Sequence, residues 1–195
     1  MQPQSQEIEF NEGKSMKTYE FAYGRSSKKF KIDEELVIKE VRTKPFPVME
    51  DIKSGVLEAI YNPIGSEPID KIIRPGDTVA FICNDPTRVA NSFDFMPILV
   101  NEMNRLGVKD EDMRIVFSLG THRDMPHEEM VESVGEEVAS RIKMYNSTAT
   151  KTEDFQYFGT TSRGTPVWIN KLLCDVDHII MTGTIVHHYF SGYGG

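Results

Sequence analysis

Three short polar stretches hold most of the residues in this chain that could move a proton or grip an anion. They are Asp85-Pro86-Thr87-Arg88, Gly120-Thr121-His122-Arg123, and the run from Thr182 through His187 and His188 to Ser191-Gly192-Tyr193-Gly194-Gly195. An arginine offers a planar fork that matches a carboxylate. Histidine exchanges protons near neutral pH. One arginine clamp with two opposed histidines suits a small carboxylic acid whose proton or hydride moves at the adjacent carbon. Each stretch also has a plainer reading. Asp85–Arg88 could cap the following helix and pair its own charges, and His122 could simply bond to backbone. His187 and His188 point opposite ways if extended, so one of them at most reaches a shared site readily. The glycine run could cradle a phosphate or be a loose end. His127 and His178 are assigned no role. The combination, rather than any one stretch, favours function.

The intervening elements explain how the stretches could meet. Thr78–Cys83, Arg114–Leu119 and His178–Met181 are short apolar runs of strand length, and each runs directly into one of the polar stretches. A helix is expected over Ser92–Leu106, closed by Gly107. A second covers Asp124–Ile142 with a break at Gly135, Asp124 serving as its N-cap. Strands buried along their length and separated by helices imply a mostly parallel sheet. In such a sheet, ligands bind beyond the carboxyl ends of the strands. Upstream, alternation over Lys17–Tyr23 and Lys28–Asp33 predicts an antiparallel hairpin. A third strand is expected at Glu35–Val41 and a helix at Val48–Tyr61. Two further short strands fall at Phe155–Phe158 and Pro166–Ile169. The fold class expected is α/β: a Rossmann-like, open, mostly parallel sheet with helices on both faces and an N-terminal antiparallel hairpin.

Composition narrows the function classes. The 195 residues are 39% hydrophobic and 27% charged, which suits one globular domain. A net charge of -8, with no basic cluster, argues against nucleic acid as a partner. No apolar run is long enough for a helix to span a bilayer, and no secretion signal opens the chain. Two cysteines in unlike contexts make a disulfide framework improbable, so a cytoplasmic setting is the default. Residues 1–15 lack hydrophobic periodicity and are expected to form a flexible extension, with the domain running over 16–195. Composition leaves the oligomeric state open.

At the same polar stretches the sequence resembles the lactate racemase family of nickel-pincer enzymes. Asp85-Pro86-Thr87-Arg88 is similar to that family's Asp-x-Thr-Arg motif, and Gly120-Thr121-His122-Arg123 to its Gly-Thr-His-Arg motif. His188-Tyr189-Phe190-Ser191-Gly192-Tyr193-Gly194-Gly195 is similar to its His-aromatic-Phe-small-Gly segment. The likeness runs in order from about Met16 to the last residue. It implies a 2-hydroxy acid racemase or epimerase that works with a nickel-pincer mononucleotide anchored on a lysine. It further implies His122 and His188 as paired acid–base groups, and Arg88 with Arg123 as substrate-binding residues. Asp85, Thr87, Gly192, Gly194 and Gly195 are implied as cofactor-binding, with no metal ligand among the candidates. Two departures stand out: Val89 replaces the family's proline, and Tyr145-Asn146-Ser147 replaces a His-Asp feature. The resemblance places the anchoring lysine beyond Gly195, which implies an N-terminal catalytic portion whose C-terminal partner domain is absent, and which is inactive alone.

Two other readings remain open on the residues. A metal-dependent hydrolase or lyase would use Asp85, His122, His187 and His188 as ligands, although no tight ligand spacing is present. A non-catalytic module would bind a small carboxylate without turnover.

Overall fold

The computed structural model describes residues 15–194 apart from Arg25, Thr43, Phe46 and Val89. Apart from Ser15, the extension expected over residues 1–15 lies outside the described residues. The chain divides into two compact units, Met1–Val48 and Met49–Gly195.

In the first unit, β1 (Met16–Tyr23) and β2 (Ser26–Asp33) form the expected antiparallel hairpin, with Tyr19 opposite Phe30. Phe21 and Phe30 meet edge to face at 5.7 Å, a favoured cross-strand aromatic geometry. The strand expected at Glu35–Val41 does not form. Instead Asp33 accepts the Glu35 backbone N–H at 3.0 Å and starts a 3-10 turn over Glu34–Leu36. An aspartate that satisfies a nearby N–H competes with the strand ladder, which explains the difference.

The second unit begins with α1 (Ile52–Tyr61), whose N-cap Asp51 accepts from Ser54 N–H at 3.0 Å, and the single turn α2 (Ile69–Ile72). Next come β3 (Val79–Asn84), α3 (Ser92–Arg105) and β4 (Met113–Gly120). Then follow α4 (His127–Val134), α5 (Glu136–Ala139) and β5 (Lys143–Thr148). The antiparallel pair β6 (Phe155–Thr160) and β7 (Pro166–Asn170) precedes β8 (His178–Met181), and a small hairpin of β9 (Val186–His188) and β10 (Gly192–Gly194) ends the chain. The main sheet has the order β5-β4-β3-β8, and all three neighbouring pairs are parallel.

Period-2 geometry places Val79, Phe81 and Cys83 of β3 on one face with Met113, Ile115, Phe117 and Leu119 of β4. These residues are buried against Met96, Leu99, Val100 and Met103, the apolar stripe of α3, and against Met130, Val134 and Val138. Right-handed crossovers from β3 to β4 and from β4 to β5 carry α3 and then α4 and α5 to that same face. The opposite face receives the β7 segment, where Asn170 Nδ2 donates to Ser147 Oγ at 2.9 Å. Near the carboxyl end of that face, Asn84 and Ser118 lie side by side in register.

The helical stretch breaks at Gly135, as its sequence predicts. Its start differs: α4 begins at His127 after Pro126, and Asp124 is not the cap. The Asp124 carboxylate is taken instead by Thr148 Oγ1 and Lys151 Nζ, so the β5 side of the loop wins the aspartate. At the amino edge of the sheet, Gly107 has φ +97°, and a Cβ there would lie 2.8 Å from Pro75 Cβ. Only glycine closes α3 against Pro75 in this way. Among the described residues, no helix is long and apolar enough to cross a membrane.

Candidate functional site

The order β5-β4-β3-β8 reverses direction between β3 and β8, which is where open parallel sheets bind ligands. The polar stretches after β3, β4 and β8 all begin at this carboxyl edge, as the sequence implies. The loop after β8 is drawn toward β3: Thr182 N–H donates to Ile82 O at 2.9 Å and Thr182 Oγ1 to the same carbonyl at 3.0 Å. A Cβ on Gly183 would sit 3.3 Å from Asn84 Oδ1. A side chain here would press on Asn84, so glycine lets the two loops approach closely.

Asp85-Pro86-Thr87-Arg88 forms a turn in which the aspartate organises its own backbone. Asp85 Oδ1 accepts Thr87 N–H at 2.8 Å and Thr87 Oγ1 at 2.5 Å, while Arg88 N–H donates to Asp85 O at 3.1 Å. This is the turn chemistry expected of an aspartate followed by proline. Asp85 is 9% exposed. Burial pushes its carboxyl up, but the hydrogen bonds from Thr87 and His122 outweigh that and hold it below the usual carboxylate range. Arg88 is exposed, and among the described residues no carboxylate lies within ion-pair distance of its guanidinium.

Gly120, at φ +57°, ends β4 and turns the chain so that His122 N–H donates to Leu119 O at 2.9 Å. His122 Nδ1 then lies 3.2 Å from Asp85 Oδ1. Arg123 goes elsewhere: its guanidinium grips Glu129 at 2.6 and 3.1 Å and Asp124 O at 3.0 Å. In the terminal hairpin the two histidines part company. His187 packs edge to face on Tyr193 at 5.2 Å, whereas His188 lines the cleft described next. His188 Nδ1 accepts Phe190 N–H at 3.1 Å, and its ring stacks on Tyr189 at 4.6 Å.

A cleft of about 550 Å³ opens here, lined by Asn84, Asp85, Thr87, Arg88, Ser118, Thr184, Val186, His188, Ser191 and Gly194. A smaller one of about 200 Å³ lies beside it, bordered by Asp85, Arg88, Ser92, Phe93, Glu129 and Glu132 among others. Of the residues singled out by sequence, Asp85, Thr87, Arg88, His188 and Gly194 line the larger cleft; His122 is not among its lining residues and lies against Asp85, 3.2 Å away. Arg123 and Gly192 are not among its lining residues, and Gly195 lies outside the described residues. Sequence reading gave no role to Asn84, Ser118 and Thr184, and Ser191 entered it only as part of the glycine-rich run. Asn84 and Ser118 carried a usable signal, as polar residues at the carboxyl ends of otherwise apolar strands. Among the described residues, no three of His, Cys, Asp and Glu stand together so as to hold a metal ion. Asp85, His122, His187 and His188 therefore form no ready ligand set.

Comparison with known proteins places this geometry among relatives. The model of the lactate racemase N-terminal domain matches residues 23–195. A lactate racemase of Lactiplantibacillus plantarum is 29% identical over 140 residues, covering 72% of this chain and 33% of that protein. A lactate racemase of Thermoanaerobacterium thermosaccharolyticum is 26% identical over 182 residues, covering 92% of this chain and 42% of that protein. The solved structure of the lactate racemase apoprotein from T. thermosaccharolyticum superimposes with a TM-score of 0.74 at 26% identity, again over 92% of this chain and 42% of that one. The chain thus spans less than half the length of the curated relatives it matches.

Proposed function

The chain belongs to the lactate racemase N-terminal domain family, and on that premise we propose that it forms the substrate-side portion of a racemase or epimerase of small 2-hydroxy acids. The observation that carries this reading is the company kept by Arg88. An exposed guanidinium with no carboxylate partner among the described residues lines the same cleft as His188, and Asp85 brings His122 to its border. Arg88 would receive the substrate carboxylate as a two-point clamp. Inversion at the α carbon needs proton transfer at the hydroxyl whichever face is attacked. His122 and His188, supplied by separate loops, would exchange that proton with the substrate oxygen.

What supports the family's nickel-pincer mononucleotide here is the size and lining of the cleft rather than a set of metal ligands. A cleft of about 550 Å³ exceeds what a hydroxy acid of a few carbons needs, leaving room for a flat ring. Thr87, Ser191 and Gly194 line it with small polar or open surface that would hold such a group. When bound, the group supplies a hydride acceptor for the α carbon. Asn84 and Ser118, side by side on the cleft face, would orient the substrate by hydrogen bonding. Anchoring of the group and completion of the site are proposed to come from a C-terminal domain of the longer protein.

The test is to purify the protein from its native source, measure nickel, and assay inversion of a panel of 2-hydroxy acids, lactate included, by chiral chromatography. Nickel at stoichiometric level with inversion of at least one acid is expected. Ligand protection by these acids without inversion would overturn the racemase reading and leave a binding module.

A further inference from the structure

The two histidines are held through the same ring atom by opposite kinds of partner. His122 Nδ1 faces Asp85 Oδ1 at 3.2 Å. An ionised carboxylate oxygen can only accept, so a neutral His122 ring that bonds it would carry the hydrogen on Nδ1 and leave its lone pair on Nε2. His188 Nδ1 instead accepts the Phe190 backbone N–H at 3.1 Å. Its hydrogen therefore sits on Nε2. Asp85 does not drift to suit the ring, because Thr87 grips the same oxygen with both its N–H and its hydroxyl. Those bonds also keep the carboxylate ionised although it is 9% exposed.

We propose that Asp85 is a positioning residue that sets the tautomer of His122, so that the two histidines reach the cleft in opposite states, a basic Nε2 on His122 and an N–H on His188. What this means for turnover rests on the racemase reading above; the ring states themselves do not. His122 takes the substrate hydroxyl proton at Nε2 with no prior rearrangement, and the Asp85 carboxylate stabilises the imidazolium so formed. His188 becomes a base at Nε2 only after its ring proton moves to Nδ1, which breaks the bond from Phe190. The chain is thus asymmetric between its two acid–base groups, Asp85 setting the His122 side of the difference and the Phe190 N–H the His188 side.

The test is long-range ¹H–¹⁵N correlation on the 195-residue chain with ¹⁵N-labelled histidine, at alkaline pH where the rings are neutral, assigned by single His→Gln variants. Expected is an Nδ1–H ring for His122 and an Nε2–H ring for His188. In Asp85→Ala, His122 shifts toward the Nε2–H form while His188 is unchanged. Asp85→Asn keeps an acceptor of similar shape without the charge, so the Nδ1–H population falls without vanishing; it serves if the alanine variant does not fold. An Nε2–H ring on His122 in the unmodified chain, or no change in either variant, overturns the proposal. In the longer protein, Asp85→Asn is expected to lower kcat on the order of 10²-fold with KM little changed. Inversion lost in His122→Gln but untouched in both Asp85 variants would reject Asp85's role and leave the racemase reading standing. The expected tautomers without any inversion would do the reverse.

Discussion

An aspartate and a histidine meet at both edges of the parallel sheet, yet the two pairs serve different ends. At the amino edge, His178 Nε2 lies 2.8 Å from Asp77 Oδ2, and that oxygen also accepts Arg74 N–H at 2.8 Å. Beside them Asp177 accepts from Thr78 N–H at 2.8 Å and Thr78 Oγ1 at 2.7 Å, while its own N–H returns a bond to Thr78 Oγ1 at 3.0 Å. Donors and acceptors are matched there, and the starts of β3 and β8 are stitched together. At the carboxyl edge Asp85 holds His122, but Arg88 is left without a carboxylate among the described residues and a cleft stands open. Matched polar groups mark scaffold and unmatched charge marks a site. Residue type alone does not separate the two.

The largest effect that could break this contrast is on turnover. In a protein that carries the proposed C-terminal domain, His122→Gln is expected to slow inversion of an accepted 2-hydroxy acid by about 10²–10⁴-fold, whereas His178→Gln leaves it within a few-fold; comparable losses for both would erase the distinction. Glycines at the two edges come next. Gly107→Ala combines a left-handed φ with a contact to Pro75 and is expected to cost about 2–4 kcal/mol in denaturant unfolding. Gly120→Ala meets nothing within 4 Å, so it costs only about 1 kcal/mol of backbone strain. Its larger consequence is displacement of His122 from Asp85, visible in the histidine ring spectrum. Equal stabilities for these two variants would contradict the assignment of scaffold and site.

The smallest effect is acid sensitivity. The Asp85 and Asp177 carboxyls are both held below their ordinary value, Asp177 chiefly by the Thr78 backbone N–H. Each contributes stability that is present above the unfolded carboxylate pKa of about 4 and is lost as pH falls through the depressed folded value. Thermal unfolding followed below about pH 4 should therefore show Asp177→Asn and Asp85→Asn each flattening the acid limb. Steepening in either variant would mean that the carboxyl is not held ionised by its neighbours.

Much of this was legible because the central elements obey simple periodicities. β3, β4 and β8 are short apolar runs, and β8 spans His178–Met181 as expected. α3 keeps its apolar stripe and ends at Arg105. β5 was missed because Lys143-Met144-Tyr145-Asn146-Ser147-Thr148 alternates weakly and four of its six residues are polar. Those polar groups are used locally: Asn146 bonds both the N–H and the carbonyl of Met125, at 3.2 and 3.0 Å. The terminal hairpin was hidden in a glycine-rich run, since β9 and β10 are three residues each and their pairing, not their composition, makes them strands. Which of His187 and His188 faces the cleft depended on that pairing. The partnership of Arg123 with Glu129 spans a loop and a helix turn, and motif spacing does not encode it.

The most direct test of the central claim, that the carboxyl edge and not the amino edge receives a small hydroxy acid, is chemical-shift mapping of the ¹⁵N-labelled chain titrated with lactate. The account predicts shifts at Asn84, Arg88, Ser118, His122 and His188, abolished in Arg88→Ala, with Asp77 and His178 unmoved. Shifts clustered at the amino edge, shifts that survive Arg88→Ala, or no shifts at all would contradict it.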